Sequence, residues 1–184
     1  MKNNRNKNAG FSLVELVVII AIVSILTAGT SIGVSLAFSR DAARCANILN
    51  DTLYSVRMDS MSKPGKYTME VKNAGSTNTQ YVAEIKCDDI LIETVYLEGD
   101  AAANKVNIIT AKLKSGGSEV QLMSSEADSL KIEFDKSKGC VETGTGTDIP
   151  GDGIIEFHII PRSSNRTSDV SLITATGKHT VGTY

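Results

Sequence analysis

Between Phe11 and Phe38 the chain runs for 28 residues with a single charged side chain, Glu15, and this stretch restricts the fold more than any other. As a helix rising ~1.5 Å per residue it would be about 42 Å long, against a bilayer hydrocarbon core of about 30 Å. A membrane span over 11–39 is therefore predicted, and it needs no amphipathic partner to be stable there. Residues 1–10 carry Lys2, Arg5 and Lys7 and no acid, while the far side offers only Arg40 and Arg44, offset by Asp41. The positive-inside rule then places the amino end in the cytoplasm and everything after the span outside.

The simplest reading of a basic start and an apolar run is a secretory signal peptide, cut near Thr27-Ala28-Gly29. Two features weigh against it. The run is about twice the roughly 7–15 residues of a signal-peptide core, and a carboxylate carried to the membrane centre would cost roughly 2.5–3.5 kcal/mol. Glu15 has an ordinary explanation too, because an acid in the first turn favours the helix dipole and can reach back to the interface.

A total of 184 residues, 41% apolar, fits one domain in addition to the span. Without the first ten residues the chain holds sixteen basic and twenty-one acidic side chains, so the distal part is mildly acidic and gives no electrostatic reason to bind nucleic acid. Beyond Phe38 the pattern becomes amphipathic. Ala42, Cys45, Leu49, Leu53 and Val56 recur every three or four residues, with Arg44, Asn47, Asp51 and Arg57 elsewhere on the surface. A helix is predicted to continue over 40–62 and to stop at Lys63-Pro64-Gly65.

From there the period is two, as in Tyr67, Met69 and Val71 against Thr68, Glu70 and Lys72. Strands are predicted at 80–87, 90–97, 105–113, 119–123, 129–135, 154–160 and 169–175, with turns at Asn73–Asn78, Gly116-Gly117, Lys138-Gly139, Gly144–Gly153 and Gly177. The expected fold class is α+β: a long amino-terminal helix packed on one or two antiparallel sheets built from 63–184.

The run Gly10-Phe11-Ser12-Leu13-Val14-Glu15-Leu16, between the basic leader and the span, resembles the class III leader of type IV prepilins and type II secretion pseudopilins. The resemblance implies that residues 1–10 are a leader removed by prepilin peptidase between Gly10 and Phe11, and that Phe11 is then N-methylated. It implies also that Glu15, fifth in the mature chain, meets the free amine of Phe11 on a neighbouring subunit in a filament. Many relatives carry a proline where this chain has Ile32; here Gly29 and Gly33 form a Gly-x-x-x-Gly pair, a weak motif for close helix approach whose alternative reading is glycine simply tolerated in a lipid-facing helix. A second, softer likeness concerns the H-class minor pseudopilins and related minor pilins. It rests on Leu49, Leu53, Arg57 and Met61, Ile132-Glu133-Phe134-Asp135, Gly139 and Thr176-Gly177-Lys178, while the segment from about 98 to 127 departs from it.

Little in the chain suggests catalysis. The histidines, His158 and His179, form no metal-ligand array, and neither a nucleophile elbow nor a phosphate-binding glycine loop occurs. His158 falls on the Glu156 side of its strand, a solvated face. Among Cys45, Cys87 and Cys140 one disulfide with one thiol left over is an option for an exported domain; burial as small hydrophobes is preferred. Some relatives bind calcium in a late loop, where this chain has Glu142, Asp148 and Asp152, although the spacing is not that of an EF-hand and a solvated loop is the preferred reading.

The sequence thus reads as a structural prepilin subunit of a pilus or pseudopilus, without a cofactor and not an enzyme. The resemblance implies prepilin peptidase, other pilin subunits, an inner-membrane assembly platform with its ATPase, and membrane lipid before assembly as partners. The competing readings are a tip-located minor pilin that binds DNA or a surface ligand through Arg162, Arg166, Lys178 and His179, and a plain membrane-anchored surface protein.

Overall fold

The computed structural model describes residues 12–74, 80–99, 106–125, 127–144, 147–148, 152–162 and 166–183; within these, the side chains of 27–39, 107, 143–144, 147–148 and 183 are not described. The chain divides into two units, one up to Leu36 and one from Ala37, and the helical residues Leu13–Ser62 (α1) contribute to both. Each is taken by itself.

In the second unit α1 buries the face that its sequence period predicts. Ala42, Cys45, Leu49 and Leu53 are 0% exposed and Val56 is 1% exposed, with Ala46 added to the stripe. Two hydroxyls on this part of the helix are also buried, and each is satisfied locally: Thr52 Oγ1 donates to the Ile48 carbonyl at 2.7 Å and Ser60 Oγ to the Val56 carbonyl at 2.9 Å. The helix ends at Ser62, where Pro64 and Gly65 forbid another turn.

Eleven strands follow: β1 Tyr67–Asn73, β2 Tyr81–Cys87, β3 Ile90–Tyr96, β4 Val106–Ser115, β5 Ser118–Met123, β6 Ser129–Phe134, β7 Val141–Gly144, β8 Thr147–Asp148, β9 Ile154–Pro161, β10 Ser168–Ile173 and β11 His179–Thr183. They form two sheets, ordered β3-β2-β1-β6-β7-β8 and β11-β10-β9-β4-β5, and every pairing is antiparallel. The fold class is α+β, as the sequence predicts. One apolar cluster joins the inner faces of both sheets to α1, including Met69, Tyr81, Ile132, Ile109, Phe157 and Val170.

Several details differ from the sequence reading. The region around Gly144–Gly153, expected to be only a turn, contributes β7 and β8, and the chain returns after Gly177 as β11. These strands are short and carry few large apolar side chains, so alternation gave no signal. β10 stops at Ile173 rather than 175, because the amides of Thr176 and Gly177 turn back onto the Ile173 carbonyl. Cys87 is half-buried rather than a core residue, since it ends its strand at the Asp88-Asp89 turn. That two-residue hairpin has φ of 50° and 64°, the left-handed conformation of the tight turns that match strand twist. Asp88 Oδ1 accepts a hydrogen bond from the Lys66 amide at 3.0 Å, which ties the hairpin to the end of α1.

Candidate functional site

The candidate site is the amino-terminal helical segment. Its first described residue, Ser12, begins the helix: Ser12 Oγ accepts from the Val14 amide at 3.2 Å and the Ser12 carbonyl accepts from the Leu16 amide at 3.2 Å. This is an N-cap, and with Glu15 three residues on it has the Ser-x-x-Glu spacing of a capping box, a start signal that reading by hydropathy alone passes over. Glu15 lies exposed in that first turn. From Leu13 to Leu26 every leucine, isoleucine and valine is at least 47% exposed, all the way round the helix. A helix apolar on all sides has no stable place in water. Its one described interior hydroxyl, Ser24, donates to the Ile20 carbonyl at 2.7 Å, so the segment presents no unsatisfied side chain there.

Gly10 and Phe11 lie outside the described residues, and so do the surroundings of Gly29 and Gly33 within the helix. Among the described residues no helix is long and apolar enough to cross a membrane; the predicted span includes 27–39, whose side chains are not described.

Residues that are distant in the sequence meet at the other end of α1. Arg57, expected on the open surface, is half-buried, and its Nε donates to the Gly139 carbonyl at 2.9 Å. Gly177 has a φ of 62°, and a Cβ placed on it would run into the Gly139 carbonyl and the Arg57 side chain. The 135–139 turn is fastened by Asp135, whose carboxylate accepts from the Lys138 and Ser137 amides at 2.6 and 2.9 Å. Those hydrogen bonds, the Lys138 amide first, hold its carboxyl below the usual carboxylate range. Arg57, Gly139 and Gly177 therefore form one junction of helix and two turns.

The remaining candidates stay apart. Glu142 is exposed, the side chain of Asp148 is not described, and Asp152 accepts from Ser115 Oγ at 2.8 Å. Among the described residues no group of three acidic, histidine or cysteine side chains is placed to hold a metal ion. The three cysteines are unpaired. Cys45 is fully buried, and desolvation, reinforced by nearby Glu98, pushes its thiol far up. His158 sits on the outer face of its sheet as predicted, with Nδ1 against Asp169 Oδ1 on the neighbouring strand. Arg162 follows β9 and Arg166 precedes β10 at one end of the sheet, whereas Lys178 precedes β11 at the other, about 17 Å along a strand of ~3.3 Å per residue, and His179 packs edge-on against Tyr54. The four residues therefore do not form a single cluster.

Residues 5–31 match the family model described as the prokaryotic N-terminal methylation motif. No curated protein and no solved structure matches the chain.

Proposed function

With its amino end carrying the class III leader of type IV pilins and pseudopilins, a structural rather than catalytic family, we propose that this chain is a prepilin processed by prepilin peptidase and assembled through its amino-terminal helix into a pilus or pseudopilus. The observation that carries the reading is the motif at 5–31 continuing into a helix whose apolar side chains cover nothing in its own unit. Lipid before assembly, and the helices of other subunits after it, supply the missing apolar surroundings. In this reading the domain lies outside the membrane.

Glu15 takes its role from this environment. A carboxylate among apolar helices is costly alone, and the amine of a neighbour's Phe11, freed by cleavage after Gly10, neutralises it there. The pair fixes axial register more than it adds stability. Close approach at Gly29 and Gly33 serves the same packing.

Intact-mass and N-terminal analysis of the chain made beside its peptidase tests the reading. The expected product is a 174-residue chain beginning at Phe11 and bearing one added methyl group. An uncut chain, or one starting near Thr30, would overturn it. In the same cells Glu15→Ala is expected to stay in the membrane fraction at wild-type level and to be depleted from sheared filaments. Equal filament fractions would reduce Glu15 to a helix-end acid.

A further inference from the structure

Each sheet ends in two edge strands, β3 and β8 in one and β11 and β5 in the other. Exposed edges are usually blunted by lysine, proline or brevity. β3 is seven residues long with neither lysine nor proline, and Ile90, Leu91 and Ile92 are 71%, 52% and 55% exposed. Its one irregularity is a bulge at Ile92, where the register with β2 shifts, and the strand continues past it to Tyr96. The charged residues of the strand and its turn are acidic, Asp88 and Asp89 at the turn and Glu93 within the strand; Asp89 lies 3.7 Å from Lys131 Nζ and Lys86 of β2 stands opposite Leu91, which leaves Glu93 as the acid without a lysine beside it. Glu93 and Val95 share an open groove of about 280 Å³ with Ile48 and Asp51 of α1, and among the described residues neither Glu93 nor Asp51 has a basic partner.

At β11 the sign is reversed. Lys178 precedes the strand, Arg166 lies towards its other end, and the one acid opposite it, Asp169 across from Gly182, is engaged by His158. The two edges also flank the helix on opposite sides. β3 shares its groove with Ile48, whereas His179 packs on Tyr54 and the turn before β11 sits on Arg57. Ile48 and Arg57 are nine residues apart, about half a turn round the helix at ~100° per residue.

We propose that β3 of one subunit pairs edge to edge with β11 of a second copy of this chain, extending one sheet into the next subunit's. Charge favours this pairing over either edge against its own copy. β3 against β3 would set Asp88, Asp89 and Glu93 against their own copies, and β11 against β11 would do the same with Lys178, both unfavourable. β3 against β11 brings Lys178 to Asp89 if the strands are parallel and towards Glu93 if they are antiparallel. The contact is heterologous, so it propagates from copy to copy instead of closing into a two-fold dimer. Because the edges lie on opposite flanks of α1, successive copies keep their helices on one side. The proposal rests on the filament-subunit reading and adds to it a second interface, outside the helix bundle.

The test uses the full chain in cells with its peptidase, carrying a photoreactive phenylalanine analogue in place of Ile92 or, as a control, of Val120 on the other exposed edge, β5. Irradiation is expected to give a crosslinked dimer from position 92 whose attached peptide maps to His179–Tyr184, and none from position 120. Lys178→Glu should lower the yield roughly fivefold, and adding Glu93→Lys should restore it. Filaments that contain the chain but give no such product from position 92, or equal products from both positions, would overturn the proposal and leave the filament reading standing. The product in membranes of cells whose filaments lack the chain would support the pairing and remove the filament reading. Absence of both product and incorporation would remove both.

Discussion

From Leu13 to Leu26 the leucines, isoleucines and valines of α1 are 47–79% exposed, whereas Leu49, Leu53 and Val56 of the same helix are 0–1% exposed. Both stretches are helical, so backbone hydrogen bonding does not distinguish them. The difference lies in how apolar residues are spaced. In the second stretch they occupy one stripe that two sheets can cover, and the opposite face is left to Asn47, Asp51 and Tyr54. In the first they surround the helix, and nothing in their own unit covers them. The stripe of the second stretch thus finds its partner within the domain, which the first stretch does not.

The sharpest way to break this comparison is to truncate one leucine in each stretch. Leu53→Ala removes a side chain with no exposed surface and is expected to destabilise the domain by about 2–5 kcal/mol. Leu16→Ala, 54% exposed, should leave the domain's unfolding within about 0.5 kcal/mol of wild type. Chemical denaturation of the full chain in detergent, followed by near-ultraviolet circular dichroism of the domain's tyrosines, reads both. Equal losses would show that the first stretch contributes to the domain's core.

A smaller effect sharpens the description of the second unit. Gly177→Ala puts a methyl group against the Gly139 carbonyl at a φ of 62° and should cost roughly 1–3 kcal/mol. Gly116 has nearly the same conformation, with a φ of 55°, but its Cβ would face open space. Gly116→Ala should therefore lose only the conformational part, about 1–2 kcal/mol, and less than Gly177→Ala. Thermal melts of the two variants separate them, and equal melts would show that the junction over Arg57 yields without cost.

How far these features were readable follows from the range of the forces involved. The buried stripe from Ala42 to Val56 and the stop at Pro64 come from neighbours within a turn, and the sequence shows them directly. The leader is legible for the same reason, since Gly10, Phe11 and Glu15 lie within six residues. Arg57 is different: its acceptor is 82 residues away, and nothing local distinguishes it from the solvated Arg44. β11 was hidden because Val181 is its only large apolar residue, and it exists through pairing with β10. Cys87 continued the apolar alternation of β2, but at the end of its strand its sulfur lies against Pro64 and Gly65 instead of the core, which leaves it half-buried.

The smallest effect concerns pH and belongs to the second unit alone, since the described part of the first carries only Glu15. On the outer face of the first sheet Glu70 and Glu84 stand directly opposite one another on β1 and β2. Like charges in that position repel, and lysines offset the repulsion: Lys86 Nζ lies 2.8 Å from Glu70 and 3.3 Å from Glu84, and Lys72 Nζ lies 2.6 Å from Glu84. Lys86 chiefly lowers the carboxyl of Glu70, and Lys72 that of Glu84. A carboxyl lowered on folding contributes stability above its unfolded value, and that stability is lost as pH falls through the folded value. Stability should therefore decline as pH drops below the ordinary glutamate value of about 4.5. Because the group is partly open to solvent, the contribution of the ladder at neutral pH should stay below about 1 kcal/mol. Lys86→Met removes the shared cation and leaves Glu70 unpaired opposite the Glu84–Lys72 pair, so protonation of Glu70 on acidification relieves repulsion instead of breaking a pair. Urea midpoints measured across the acid range should then fall less steeply in the variant than in wild type. An unchanged slope would assign the acid sensitivity elsewhere, with Asp135 and its two amide hydrogen bonds as the next group to test.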